Sequence, residues 1–136
     1  MSNTDKVSLE VAEHEFGRFV DAMDLDLNTG EMDADDRRDF QQQKGVILRA
    51  IQRGHLVINE DGEPVYTPQK LDIDPITFYE PEGATFLEMD RKKKTAEVAK
   101  TYAVLGAMTK IGPAPFAKMK NRDMKVCQAI MLCFLA

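Results

Sequence analysis

Ile76-Thr77-Phe78-Tyr79-Glu80-Pro81-Glu82-Gly83 is the stretch against which the rest of the chain is read. Ile76 and Phe78 point to one face and Thr77 and Tyr79 to the other, the two-residue period of a strand. Glu80-Pro81-Glu82-Gly83 ends it. From there to Ala136 the pattern turns helical, in three segments. They are separated first by Arg91-Lys92-Lys93-Lys94 and then by Ile111-Gly112-Pro113-Ala114-Pro115. Thr85 and Glu88 have capping-box spacing and open a short helix with Phe86, Leu87 and Met89. Thr95 caps a second helix, from about residue 96 to 109. There Ala99, Ala103, Gly106 and Ala107 are small enough to let another helix approach, while Val98, Tyr102, Leu105 and Met108 are bulky. Pro113 and Pro115 end that segment. Asn121 is expected to cap the closing helix, with Met124, Cys127, Ile130, Met131 and Phe134 as its apolar positions.

Upstream of this stretch, residues 1–6 are polar. Ser8 can cap a helix running to about Met23 or Leu25, with Val11 or Ala12, Phe16, Phe19, Val20, Met23 and Leu27 at helical spacing. Asp24 to Asp35 is an acidic connection that turns at Asn28-Thr29-Gly30. Asp33 is a good cap for a second helix, Asp35 and Asp36 complement its dipole, and Gly54 stops it. Phe40, Ile47, Leu48 and Ile51 are its expected buried stripe. Leu56-Val57-Ile58 and Val65-Tyr66-Thr67 flank an Asp61-Gly62 turn and predict a hairpin with a loop longer than two residues. Pro64 places its strand at an edge or at its own start.

The expected fold class is therefore α+β, mainly helical, with about five helices and a small antiparallel sheet of two to three short strands. Residues 1–70 form a helical hairpin plus a β-hairpin, and residues 71–136 a strand plus a three-helix unit. Together they are expected to make one compact domain, which suits a chain of 136 residues.

A net charge of −5 gains nothing from counterion release on a polyanion, so no nucleic acid partner is expected. No run approaches the roughly 20 apolar residues of a membrane span, and the first residues lack the apolar core of a secretory signal. Cys127 and Cys133 lie six residues apart on a helix, a rise of roughly 9 Å that no disulfide spans, so both are expected to be reduced and buried.

Catalytic constellations are missing from the sequence. His14 and His55, the two histidines, lie in separate elements without a nearby cysteine, which gives a zinc site little support. No nucleophile elbow, phosphate loop or metalloprotease pattern occurs. No cofactor and no enzymatic activity are expected. Asp24, Asp26 and Asn28 take the first, third and fifth places of a calcium loop. The later places carry Thr29, Glu31 and Asp35 where that loop needs Gly, an apolar residue and Glu, so an acidic interhelix turn is the plainer reading. The basic run Arg91 to Lys94 reads as a solvated helix end. The more useful signal is apolar: Met89, Met108, Met119, Met124 and Met131 crowd the last third beside Phe86, Phe116 and Phe134. Such flexible side chains either fill a core or form a repackable binding surface. A surplus too large to hide is expected to leave an exposed patch.

From Ile76 through Gly83, then Leu87, Asp90, Tyr102, Leu105, Thr109 and Ile111, the chain resembles the small tail assembly chaperones of long-tailed bacteriophages. The likeness covers about residues 73–136 and consists of a strand ending in proline, a short helix, a second helix of leucine and small residues, a loop and a closing helix. It departs from that pattern at Phe86-Leu87 and at the basic run, and residues 1–70 have no counterpart in it. The resemblance implies a protein of the host cytoplasm that binds the helical tape-measure protein, and in some cases the tail-tube protein, and keeps apolar faces from aggregating. It also implies that a frameshifted longer form can exist. Helix-in-groove capture is the corresponding mechanism. Phe78, Leu87, Tyr102, Leu105, Met108, Ile111, Phe116 and Met119 are the candidate lining, each able to be core instead. The chain could also form a homo-oligomer. The alternative is a structural tail-completion or neck protein of the virion, and a third reading is a helix-turn-helix regulator using residues 96–135.

Overall fold

A computed structural model describes residues 5–25, 27, 29–69, 73–83 and 97–135. Among them are five α-helices and a three-stranded antiparallel sheet, a mainly helical α+β fold.

Helix α1 spans Leu9–Ala22 and begins where expected: the Ser8 hydroxyl accepts the Val11 N–H at 3.1 Å. Ala12, Phe16 and Phe19 are its buried face, and Val11 lies on the exposed side. A 3-10 turn at Thr29–Glu31 follows. Helix α2, Ala34–Gln52, is capped by Asp33, whose Oδ1 accepts the Asp36 N–H at 2.8 Å. It ends at Gly54, whose φ of 82° is the left-handed conformation that favours glycine. Ile47, Leu48, Ala50 and Ile51 are buried, and Phe40 is half-buried against them.

The sheet holds β1 (Leu56–Ile58), β2 (Pro64–Tyr66) and β3 (Ile76–Thr77) in that order, with Ile58 opposite Pro64 and Tyr66 opposite Ile76. Pro64 thus stands in the central strand. It is tolerated because it is the strand's first residue, where its missing N–H costs least, and its carbonyl still accepts the Phe78 N–H at 2.8 Å. In the hairpin loop the Asn59 side chain accepts the N–H groups of Asp61 and Glu63. Gly62, at φ 82°, presses against Ala22 at the end of α1. Arg18 of α1 donates to the carbonyls of Ile58 and Asn59 and fastens helix to hairpin.

Helix α3 is Glu97–Thr109, α4 is the short Ala114–Ala117, and α5 is Asn121–Phe134. Three expectations change here. Asn121 does not cap α5: Lys120 is the N-cap residue, makes no side-chain cap bond, and Asn121 is already helical. Gly106 does serve close approach, but to a loop and not to a helix. A Cβ there would lie 2.5 Å from the Gly112 carbonyl carbon and 2.6 Å from the Pro113 nitrogen. Pro113, expected only to end a helix, instead begins α4. The expected helix opening at Thr85 lies outside the described residues.

One core joins the two portions of the chain. Phe19 of α1 meets Phe134 of α5 edge to face, with ring centroids 5.1 Å apart. Such a contact contributes about 0.5–1.5 kcal/mol beyond the area buried. Helix α5 packs along α2, and the Tyr79 N–H donates to the Met108 carbonyl, tying the end of β3 to α3.

Candidate functional site

Of the eight residues expected to line a groove, five are interior. Phe78, Leu105 and Phe116 are 0% exposed, Met108 is 1% and Met119 is 9%. Met124 and Met131 are buried as well. Among the described residues, the methionines of the last third are therefore absorbed by packing and form no open trough. The short turn α4 after Pro113 packs against α3 and encloses Phe116, and just beyond it Met119 Sδ lies 3.9 Å from the Cys127 thiol of α5. Tyr102 is half-buried against the core, and Ile111 is 44% exposed. Leu87 lies outside the described residues. Of the calcium-loop alternative only Asp24 is described; it takes a positive φ of 51° in the turn after α1.

The deepest polar cluster was not foreseen. Asp123 sits in the first turn of α5, fully buried, and its Oδ1 accepts the Tyr66 hydroxyl at 2.5 Å and the Gln69 N–H at 3.0 Å. Its Oδ2 has no hydrogen-bond partner among the described residues. Burial, then the bond to Asp123, pushes the Tyr66 phenol far above its ordinary value. Burial and then the Asp123 carboxyl do the same to the Cys127 thiol, and burial alone pushes Cys133 up to about 12. Both cysteines are free. A thiol held protonated is a poor nucleophile, so the cluster is a polar pin between β2 and α5. A lone Asp in an apolar pattern gives no sign of such burial, because the sequence does not say which strand will face it.

What stays open is a furrow between α2 and α5. A hollow of about 420 Å³ has Val46, Ala50 and Val126 as its apolar floor and Arg49, Arg53, Arg122, Lys125 and His55 around it. It continues along the same two helices past Gln41, Gln42, Gln43 and Gln128. Arg49 and Arg53 are four apart on α2, and Arg122 and Lys125 three apart on α5, so each pair shares a helix face. None of these four cations forms an ion pair with a carboxylate among the described residues; the ion pairs there are Arg18–Glu15, Arg38–Asp35 and Lys44–Glu13. The spacings were legible in the sequence. That α2 and α5 lie side by side was not.

A second hollow, of about 340 Å³, lies between α1 and α2 over Phe16, Val20, Leu27 and Phe40. Lys44 crosses it, above the Phe16 ring and 3.1 Å from Glu13. No described helix is long and apolar enough to cross a membrane. No family model, curated protein or solved structure matches the chain.

Proposed function

We propose that the protein is a tail assembly chaperone of a long-tailed bacteriophage. It binds the apolar helices of a tape-measure protein in the host cytoplasm, carries no catalytic site, and promotes assembly of the tail tube. The observation that supports this reading is the order of elements after Asp74: β3, then α3, then the Gly112–Pro113 loop with α4, then the closing α5. Leaving aside the short helix expected after the strand, which lies outside the described residues, that order agrees with the one the resemblance over residues 73–136 implies.

The client surface differs from the groove expected from sequence. Phe78, Leu105, Met108, Phe116 and Met119 hold the protein together. Tyr102 on α3, half-buried, and Ile111 just after it, 44% exposed, are the described candidates left to touch a client. Lys110 lies between them in sequence, with a positive φ of 65° after the end of α3 and its ammonium 4.5 Å from the Tyr79 ring centroid.

The test is co-expression with the product of a long helical reading frame lying directly downstream. The wild-type chain is expected to bring that product into the soluble fraction and to co-purify with it. Recovery of the client only as aggregate, with this protein folded, overturns the reading. The second reading, a structural tail-completion or neck protein, has a specific observation in its favour. Residues 1–40 carry a net charge of −8 and residues 97–136 a net charge of +4, a polarity that suits subunits meeting head to tail. Stable closed rings of the isolated protein would favour it.

A further inference from the structure

We infer that the cationic furrow between α2 and α5 docks the acidic start of α2 from a second copy of this chain. The contact is heterologous, one patch on each partner, and chains built from it run head to tail. This goes beyond the chaperone reading and does not rest on it.

Three observations carry the inference. The furrow gathers Arg49 and Arg53 from the end of α2 with Arg122 and Lys125 from the start of α5, in a chain whose overall charge is −5. All four are exposed, and none has a carboxylate partner among the described residues. The matching surface lies on the same molecule: Asp33, Asp35, Asp36 and Asp39 are exposed at the other end of α2. Two cations, Arg37 and Arg38, stand among these four acids; Arg38 pairs with Asp35 at 3.4 Å and Arg37 donates to the Met32 carbonyl at 3.0 Å.

Geometry keeps the two patches from neutralising each other within one molecule. Helix α2 has 19 residues, and at 1.5 Å per residue Asp36 and Arg53 stand about 25 Å apart along its axis. The screening length in physiological salt is about 8 Å. Each patch is therefore electrostatically alone until another copy brings its opposite. The same screening removes most of the repulsion expected between two molecules of net negative charge, since that acts over longer distances than the contact does. The helix dipole adds in the same sense. The start of α5 has no side-chain cap, and its dipole favours an incoming carboxylate beside Arg122. A nucleic acid phosphate would meet the same cations, but it would also have to approach a surface that is acidic over residues 1–40.

The test is sedimentation velocity of the whole chain over a concentration series, at about 0.15 M salt as the low-salt condition and at about 1 M. Three proteins are compared: wild type, an Arg49→Glu/Arg122→Glu variant, and an Asp36→Lys/Asp39→Lys variant. All four positions are exposed, and circular dichroism checks that each variant keeps the wild-type helix content. Wild type is expected to gain mass with concentration at low salt and to lose it at high salt. Each variant alone is expected to stay monomeric. An equimolar mixture of the two is expected to associate again, because each then supplies the patch that the other has reversed. Closed rings of one stoichiometry would support the contact equally. A wild type that stays monomeric throughout at low salt overturns the inference. So does association that both variants retain, or tighter retention of a short DNA duplex in the furrow than of a second copy.

Discussion

Tyr66 and Asp123 show how much rests on one buried pair. The carboxyl group receives two donors, and the phenol loses its partner if the acid is removed. Tyr66→Phe is expected to lower unfolding stability by about 1–3 kcal/mol, because a buried polar group is left short of a donor. Urea denaturation measures it, and an unchanged midpoint would show that the bond contributes nothing net. The three groups whose pKa is raised, Tyr66, Cys127 and Cys133, share one sign. In each the folded state favours the protonated form. Their stabilisation is complete below the pKa of the unfolded groups and is lost as pH rises toward the folded values, about 12 for Cys133. The urea midpoint is therefore expected to begin falling above about pH 8, where unfolded thiols ionise, and to go on falling toward about pH 12, the folded value of Cys133. Cys133→Ala should make that fall shallower. The thiols themselves should react with Ellman's reagent only as fast as the chain opens. Cysteine burial was legible from residue type alone. The role of Asp123 was not, since an acid in a helix's first turn ordinarily faces water.

Caps and stops at the element scale were legible because they are local. Ser8, Asp33 and Gly54 each act on atoms within four residues of themselves, and each stands where its side chain or its lack of one requires. Gly106 marks where local reading stopped. Its smallness was plain, but its neighbour is the Gly112–Pro113 backbone, which returns over α3 only because α4 follows. Gly106→Ala is expected to destabilise by about 1–3 kcal/mol, since backbone cannot move aside as a side chain can. Gly17→Ala in α1, with open space around its Cα, is expected to stabilise by about 0.5–1 kcal/mol. Equal effects from the two would mean that the loop does not press on α3. The methionines fall under the same limit. Helical period says which face is apolar, and only the packing of α3 against α4 and α5 says that the face is covered. Leu105→Asp and Met108→Asp are accordingly expected to unfold the protein, as a carboxylate with no partner would enter the core. Ile111→Asp should leave the circular dichroism unchanged.

On the scale of the whole molecule, the surfaces left among the described residues include a charged furrow on one side of α2 and α5, and scattered apolar side chains, of which Ile111 at 44% and Leu132 at 46% exposure lie in the C-terminal part. The fold class was readable from period and punctuation. Which surface meets a partner was not, because that depends on how elements far apart in sequence come together. The central claim is that the protein shields the apolar helices of a tape-measure client. Light scattering during dilution of that client from denaturant tests it most directly. With an equimolar amount of the wild-type chain, scattering should be suppressed, and with Ile111→Asp it should return. Scattering that rises identically with and without the folded wild-type protein would contradict the claim.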